Sequence, residues 1–448
     1  MKHIIKIIKT LLPILILSSN IAANQVLNWP QWRGPFMNGS YINSNTPVDL
    51  REESDNLKWK IELNGSGHSS PIIFEDKIFI LSAKETGKLL PDSVDKPSKK
   101  DLNIAARLTN NSQIVTRKMQ YLVSAMDRNN GEILWQKVAK EKIPPQLIHG
   151  KASWCSSSPV TDGQYLIALF GSAGLYCYDL EGNLIWEKDF GNLNIYWSFG
   201  EGASPTIFDN KVILNWDHEG QSFITALDIT TGKEIWRTNK EERTSWSTPI
   251  VVNVNGQSVI VTSADNFSRG FDLETGKLLW EVKGLSTNTI PTPISYKDDV
   301  IVASGLYAEI IQSINLKTAM DKEESENAVS WKKKGNGPYT PSILLHKDRI
   351  YTLKGNKGII SCLNPNSGEI IYGPERLPSI KEVFASPVAA NKYIYVVGRR
   401  GNVVILDSGS KFKVVAQTKL NDNFDASPAI YQNQIFLKGH KYLYCFES

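Results

Sequence analysis

The sequence predicts an all-β protein, an eight-bladed β-propeller of four-stranded antiparallel blades closed by an N-terminal strand that completes the last blade. Three observations carry the prediction. A nine-residue phrase recurs as DRNNGEILW at 127–135, DITTGKEIW at 228–236 and DLETGKLLW at 272–280, shortened to DLEGNLIW at 179–186 and echoed as NPNSGEIIY at 364–372. A small or hydroxyl residue followed by proline marks the start of each unit, with prolines at 71, 159, 205, 249, 293, 341, 387 and 428. Finally, the last unit ends at Tyr-Leu-Tyr-Cys-Phe-Glu-Ser, one strand short, while an unassigned Asn-Leu-Lys-Trp-Lys-Ile-Glu-Leu stands at 56–63.

Each unit reads as four strands. Apart from one gap of 88, the prolines are spaced 46, 44, 44, 48, 46 and 41 residues apart, the period of a propeller blade built from short strands. Proline opens the inner strand, where a missing N–H does least harm. Polar turns such as Glu75-Asp76-Lys77 and Phe208-Asp209-Asn210 lead into the second strand. The third strand ends at the Asp of the repeated phrase, whose side chain can accept turn N–H groups while the Gly takes positive φ. The outer strand then carries Trp135, Trp186, Trp236 or Trp280, a large ring suited to the wedge between blades. Pairing residues 56–63 with the C-terminal unit removes two open sheet edges. The propeller is therefore expected to occupy 56–448 as one domain, after an extension at 24–55.

The first residues, MKHIIKIIKTLLPILILSSNIAANQ, have the layout of a secretory leader spanning 1–23, with Lys2, Lys6 and Lys9, a short apolar run and Ala22-Ala23. The run falls short of the roughly 20 residues that cross a membrane. An exported chain, periplasmic or secreted, is expected. Loss of the three lysines takes the formal charge from +4 to +1, which leaves no basic footprint for nucleic acid. Cys177, Cys362 and Cys445 each precede a turn by two residues in non-neighbouring blades, so disulfides among them are not expected. Cys155 reads as a buried free thiol.

With the repeats aligned, the chain resembles the pyrroloquinoline-quinone (PQQ) repeat propellers, and within them an exported BamB-like group. The resemblance rests on Trp-Pro-Gln-Trp-Arg-Gly-Pro at 29–35, Gly-Leu-Tyr-Cys-Tyr-Asp-Leu at 174–180, Asn-Trp-Asp-His-Glu-Gly at 215–220 and Tyr-Gly-Pro-Glu-Arg-Leu-Pro at 372–378. It implies a non-catalytic binding or assembly scaffold, or else an oxidoreductase using PQQ and Ca²⁺ on an alcohol or sugar. The chain lacks the adjacent Cys-Cys pair typical of quinoprotein dehydrogenases, a Cys-x-x-Cys-His haem motif and a lipidation cysteine. A protein or glycan partner and a monomer are expected.

The loops before each inner strand and between strands two and three share one face, which receives most of the extra sequence, including an insertion at 84–119 in blade 1. Loops of that length are often functional. His68, His149, His218 and His440 map to this face and His346 to the other. Beside them fall Lys151, Trp154, Trp197, Glu201, Asp217, Glu219, Trp246, Tyr339, Lys354, Arg399, Arg400 and Asp425. Asp217 and Glu219 offer oxygen ligands to Ca²⁺, and His218 an acid or base. Trp154, Trp197 and Trp246 offer stacking faces for a quinone or a sugar ring. On the quinoprotein reading, Arg399 or Lys354 would pair with the carboxylates of PQQ. No Ser-His-Asp set, phosphate loop or zinc spacing is present, and the histidines have no metal spacing.

Overall fold

The computed structural model describes residues 28–448 except 103–106, 108–110, 322 and 324. The expected leader lies outside the described residues. Among the described residues eight blades, each a sheet of four antiparallel strands with one parallel strand added to blade 7, follow one another around a central axis. Blade 3 is representative, with strands Thr206–Phe208, Lys211–Trp216, Ser222–Asp228 and Glu234–Lys240 in sequential order. Its first hairpin turns on Asp209 and Asn210, whose φ values of 47° and 56° match the twist that tight hairpins need. Blade 8 takes three strands from the C-terminus, and Leu57–Glu62 completes it by pairing antiparallel with Tyr442–Glu447. The closure expected from the two ends of the sequence is the one the chain adopts.

The repeated phrase builds a joint between blades. In blade 3, Asp228 Oδ1 accepts the backbone N–H groups of Thr230 and Thr231 at 3.1 and 2.9 Å, and Gly232 follows at φ 67°. The outer-strand Trp186 of blade 2 lies flat on that glycine, where an added Cβ would stand 2.7 Å from the ring. Its indole N–H donates to the Ile229 carbonyl inside the same turn at 2.7 Å. Trp59, Trp135, Trp236 and Trp331 make the same bond to Arg128, Leu180, Leu273 and Pro365. One phrase thus supplies both halves of the joint, a turn that receives the preceding blade and a ring that enters the next. Blade 5 breaks the pattern, because Asn315 caps a short helix, Leu316–Met320, where the turn should be. Trp280 packs among apolar residues that include Leu316, Ala319 and Ala328, and its N–H is left without a partner.

The hydroxyl before each proline has its own task. The Ser158 hydroxyl accepts the Ser70 N–H, Ser204 accepts from Ser158 and Thr248 from Ser204, at 3.0, 2.9 and 3.2 Å. The chain of bonds resumes from Thr292 to Ser342, Ser386 and Ser427, and returns to Ser70. A belt of Ser and Thr therefore ties the inner strands together around the axis. In blade 6 the belt position falls to Ser342, after Pro341 instead of before it.

The extension before Leu57 threads the channel. Trp29 forms a reciprocal backbone bridge with Ile73 of blade 1, and the Pro30 carbonyl accepts the Thr161 N–H of blade 2. Trp32 donates to Thr292 Oγ1 of blade 5 at 2.9 Å. Arg33 is 2% exposed, and its guanidinium donates to the carbonyls of Pro387, Ile343 and Asn38. Burial without a carboxylate partner lowers its pKa to about 9. Ser40–Tyr41 then adds a parallel strand to the inner strand of blade 7, and Ser40 Oγ meets His346 Nδ1 at 2.6 Å.

Candidate functional site

On the face opposite the inner-strand ends that hold the extension, the channel opens into a cavity of about 420 Å³. Loops of successive blades wall it. Trp246, Phe199, Tyr339 and Phe384 supply aromatic surface, and Trp32 together with the belt residues Ser204, Thr248, Thr292 and Ser342 lines its inner end. The extension thus turns a through-channel into a cup. Trp246 is fixed by its indole N–H donating to Gly200 O at 2.6 Å, and Phe384 by the Arg399 guanidinium 4.1 Å from its ring centre.

The rim carries a chain of charges that runs between blades. Lys151, from the loop before blade 2, meets Glu382 of the loop before blade 7 at 2.7 Å. Glu382 lies 3.5 Å from Arg399, and Arg399 grips Asp425 through Nε at 2.5 Å and Nη2 at 2.9 Å. Both His68 Nε2 and His440 Nε2 reach the same Asp425 Oδ2, at 3.1 and 3.0 Å, with their rings stacked 5.8 Å apart. Burial opposes ionisation of Asp425, but the hydrogen bonds from His440 and His68 and the charge and hydrogen bonds around them outweigh it, and the carboxyl sits far below its usual range. Among the described residues this trio alone gathers three metal-type ligands, with donor atoms within 4.8 Å of one another. A cation there would share its carboxylate with a bidentate guanidinium, so the arrangement suits a satisfied acceptor better than a metal centre.

Glu201 is the other acid of the cup. Its carboxylate accepts the Ser172 backbone N–H at 2.8 Å and the Ser172 hydroxyl. Burial pushes its pKa up to about 7, against the pull of those hydrogen bonds and of Lys142. Gly171, at φ 52°, leaves the room that this carboxylate fills. His149 packs edge-on against Phe199 with ring centres 5.6 Å apart. Its pKa is lowered by burial first and then by the charges of Lys151 and Arg399.

The structure therefore brings together His68, His149, Lys151, Glu201, Trp246, Tyr339 and Asp425 in the cup, with Arg399 and His440 directly behind them. Other candidates stand apart. Asp217 is buried in an ion pair with Lys240 at 2.5 Å, supported by Asn215 and Ser245. Glu219 accepts the Thr244 N–H and hydroxyl, and His218 is engaged by Asn194 N–H and lies against Gln221 O. Three neighbours in sequence thus have three separate sets of partners and form no Ca²⁺ site. Trp197 packs with Leu102, Val115 and Leu147 against the blade 1 insertion and, at φ 49°, stacks on Tyr196, whereas Trp154, in the same cluster, also lines the recess that holds Arg399 and His440. Lys354 pairs with Glu309 at 3.4 Å, and Arg400 is exposed on the turn beyond Arg399. The insertion is docked through a two-residue pairing of Ser112–Gln113 with Ile148–His149. Residues 84–89 and 117–119, expected within it, belong to the extended blade 1 hairpin. Trp32, Phe199, Glu382 and Phe384 were missed. Only the two tryptophans of residues 29–35 hinted at a role for the extension.

Eight four-stranded blades, a repeated turn that receives the preceding blade's tryptophan and a cup walled by loops define a PQQ-type repeat propeller. The model of the family described as "Outer membrane protein assembly factor BamB" matches residues 119–373, and the chain belongs to that family. It is 24% identical over 245 residues to the outer membrane protein assembly factor BamB of Moranella endobia, a match covering 50% of this chain and 59% of the relative. It is 22% identical over 331 residues to that of Yersinia pestis, covering 71% of this chain and 77% of the relative. Among solved structures, BamB from Moraxella catarrhalis superposes with a TM-score of 0.58 at 14% identity, over 88% of this chain and 99% of that one. The quinohemoprotein alcohol dehydrogenase ADHIIG from Pseudomonas putida HK5 superposes at 0.59 and 10% identity, over 94% and 80%. Both structural likenesses speak for the fold alone. Among the described residues no helix is long and apolar enough to cross a membrane.

The residues present do not fit a PQQ–Ca²⁺ pair. Ca²⁺ needs six to eight converging oxygen ligands, and the acids of the cup come from separate loops and are each engaged already. A polycarboxylate needs available cations, whereas Arg399 is bound to Asp425, Lys151 to Glu382 and Lys354 to Glu309.

Proposed function

We propose that the protein is an exported, non-catalytic binding and assembly scaffold that engages a partner through the loop-rich face around the cup. The observation that carries this reading is the mutual pairing of Lys151, Glu382, Arg399 and Asp425 across blades 2, 7 and 8. The groups that could do chemistry are spent on holding loops in place, which preorganises a surface at the cost of reactivity. Family membership supports the same reading, since the relatives are outer membrane protein assembly factors by name. In the source organism, deletion of the gene should lower the amounts of outer-membrane proteins. Wild-type chain should restore them and an Arg400→Glu/Lys151→Glu variant should not. Unchanged levels after deletion would refute the assembly reading. The quinoprotein alternative is checked by titrating PQQ with Ca²⁺ and following tryptophan quenching, where this reading expects no saturable, Ca²⁺-dependent response.

A further inference from the structure

The cup has three properties that together select a ligand chemistry. It is closed at its inner end by Trp32 and has a volume of about 420 Å³, within the range of small-molecule sites. Trp246, Phe199, Tyr339 and Phe384 give it flat apolar faces from four different blades. Four of its charged groups are matched to one another, from Lys151 through Glu382 and Arg399 to Asp425, and Glu201 is held by the Ser172 N–H and hydroxyl.

A charged ligand would have to break one of these pairs and leave its partner stranded, which is costly in a partly buried site. A neutral polyhydroxylated ligand meets no such penalty. Each hydroxyl both donates and accepts, so it can add to the outer lone pairs of Glu382 and Glu201 and to Asn356 at the wall without displacing what they hold. Asn356 is itself oriented, its Oδ1 accepting the Thr340 N–H at 2.9 Å. The C–H faces of such a ligand would lie on the rings. We propose that the cup binds a neutral mono- or disaccharide, the rings stacking on its sugar faces and the paired polar groups reading its hydroxyls. The proposal rests on the reading of this face as a binding face and names the chemistry of its ligand.

The test is calorimetric and fluorimetric titration of the purified protein with glucose, N-acetylglucosamine, maltose and cellobiose, and separately with PQQ and choline as charged probes. At least one saccharide should saturate below about 10 mM and shift the tryptophan emission. Tyr339→Ala and Asn356→Ala should each weaken that binding about tenfold while their melting curves stay cooperative. A flat response to all four sugars overturns the proposal, as does saturation by PQQ or choline without any by sugar. A saccharide affinity unmoved by both variants overturns the assignment to the cup. The outcome is separable from the assembly reading, because loss of outer-membrane proteins on deletion is measured without sugar and can fail or hold independently.

Discussion

Trp236 of blade 3 donates its indole N–H to the carbonyl oxygen of Leu273 in blade 4 at 2.9 Å, while its ring covers Gly276 of the same turn. The relation repeats between further pairs of blades, but between blades 4 and 5 the corresponding Trp280 has lost its acceptor. Two residues with the same place in the repeat therefore have opposite balances of hydrogen bonding.

Trp236→Phe should cost about 1–3 kcal/mol, because it strands the buried Leu273 carbonyl. Trp280→Phe should cost clearly less, since it loses the same ring volume but removes a buried donor that has no partner and strands no acceptor. Urea unfolding of the two variants decides the matter. Equal losses would show that the rings act by bulk alone.

Gly276→Ala should destabilise by roughly 2–4 kcal/mol, as it combines φ +71° with overpacking against Trp236. Gly256→Ala is the control, since it has φ +87° and nothing within 4 Å of the added carbon, so it should lose only the backbone part. Thermal melts that fall equally for the two would remove packing from the account.

Lys240→Met should cost on the order of 3–5 kcal/mol by leaving Asp217 charged and unpaired in the interior. Adding Asp217→Asn should recover much of that loss. Chemical denaturation of the single and double variants measures the coupling, and additive losses would contradict the pairing.

Glu201 holds its proton more tightly when folded, with a pKa of about 7 against the ordinary 4.5. Its contribution to stability is therefore full below about pH 4.5 and is lost as pH rises through 7. Asp425 has the opposite sign, contributes fully throughout that window, and loses its contribution progressively as pH falls below the ordinary 3.8. Glu201→Gln should flatten the stability profile between pH 4.5 and 7, as read from melting temperatures across that range. A slope equal to wild type would assign it to other groups.

The architecture was legible because the repeat states it outright. Asp, Gly and Trp at fixed spacing name both partners of each joint, and the missing outer strand of the last blade is supplied visibly by residues 56–63. The cup was less legible because its walls come from one or two residues per blade, at loop positions with no shared pattern. His68, Glu201 and Asp425 could be placed on the right face by counting strands. Phe199, Glu382 and Phe384 carried no mark that distinguished them from other loop residues. Asp217, His218 and Glu219 misled for a physical reason, since successive residues leaving a strand diverge instead of converging. Trp32 lies outside the repeats altogether, so no period could place it in the channel.

The extension ties residues 40–41 to residues 389–390, and Leu57–Glu62 waits for the last strand of the chain. During synthesis Ser40–Tyr41 thus lacks its sheet partner until residues 389–390 emerge, and Leu57–Glu62 until residues 442–447 do. Contacts so distant in sequence make folding slow and give the unfinished chain exposed strand edges. Once latched, the same long-range ties work in the other direction. Blade 8 cannot come apart without releasing Leu57–Glu62, nor can blade 7 without releasing Ser40–Tyr41, and resistance to proteolysis there should be set by the rate at which that latch lets go.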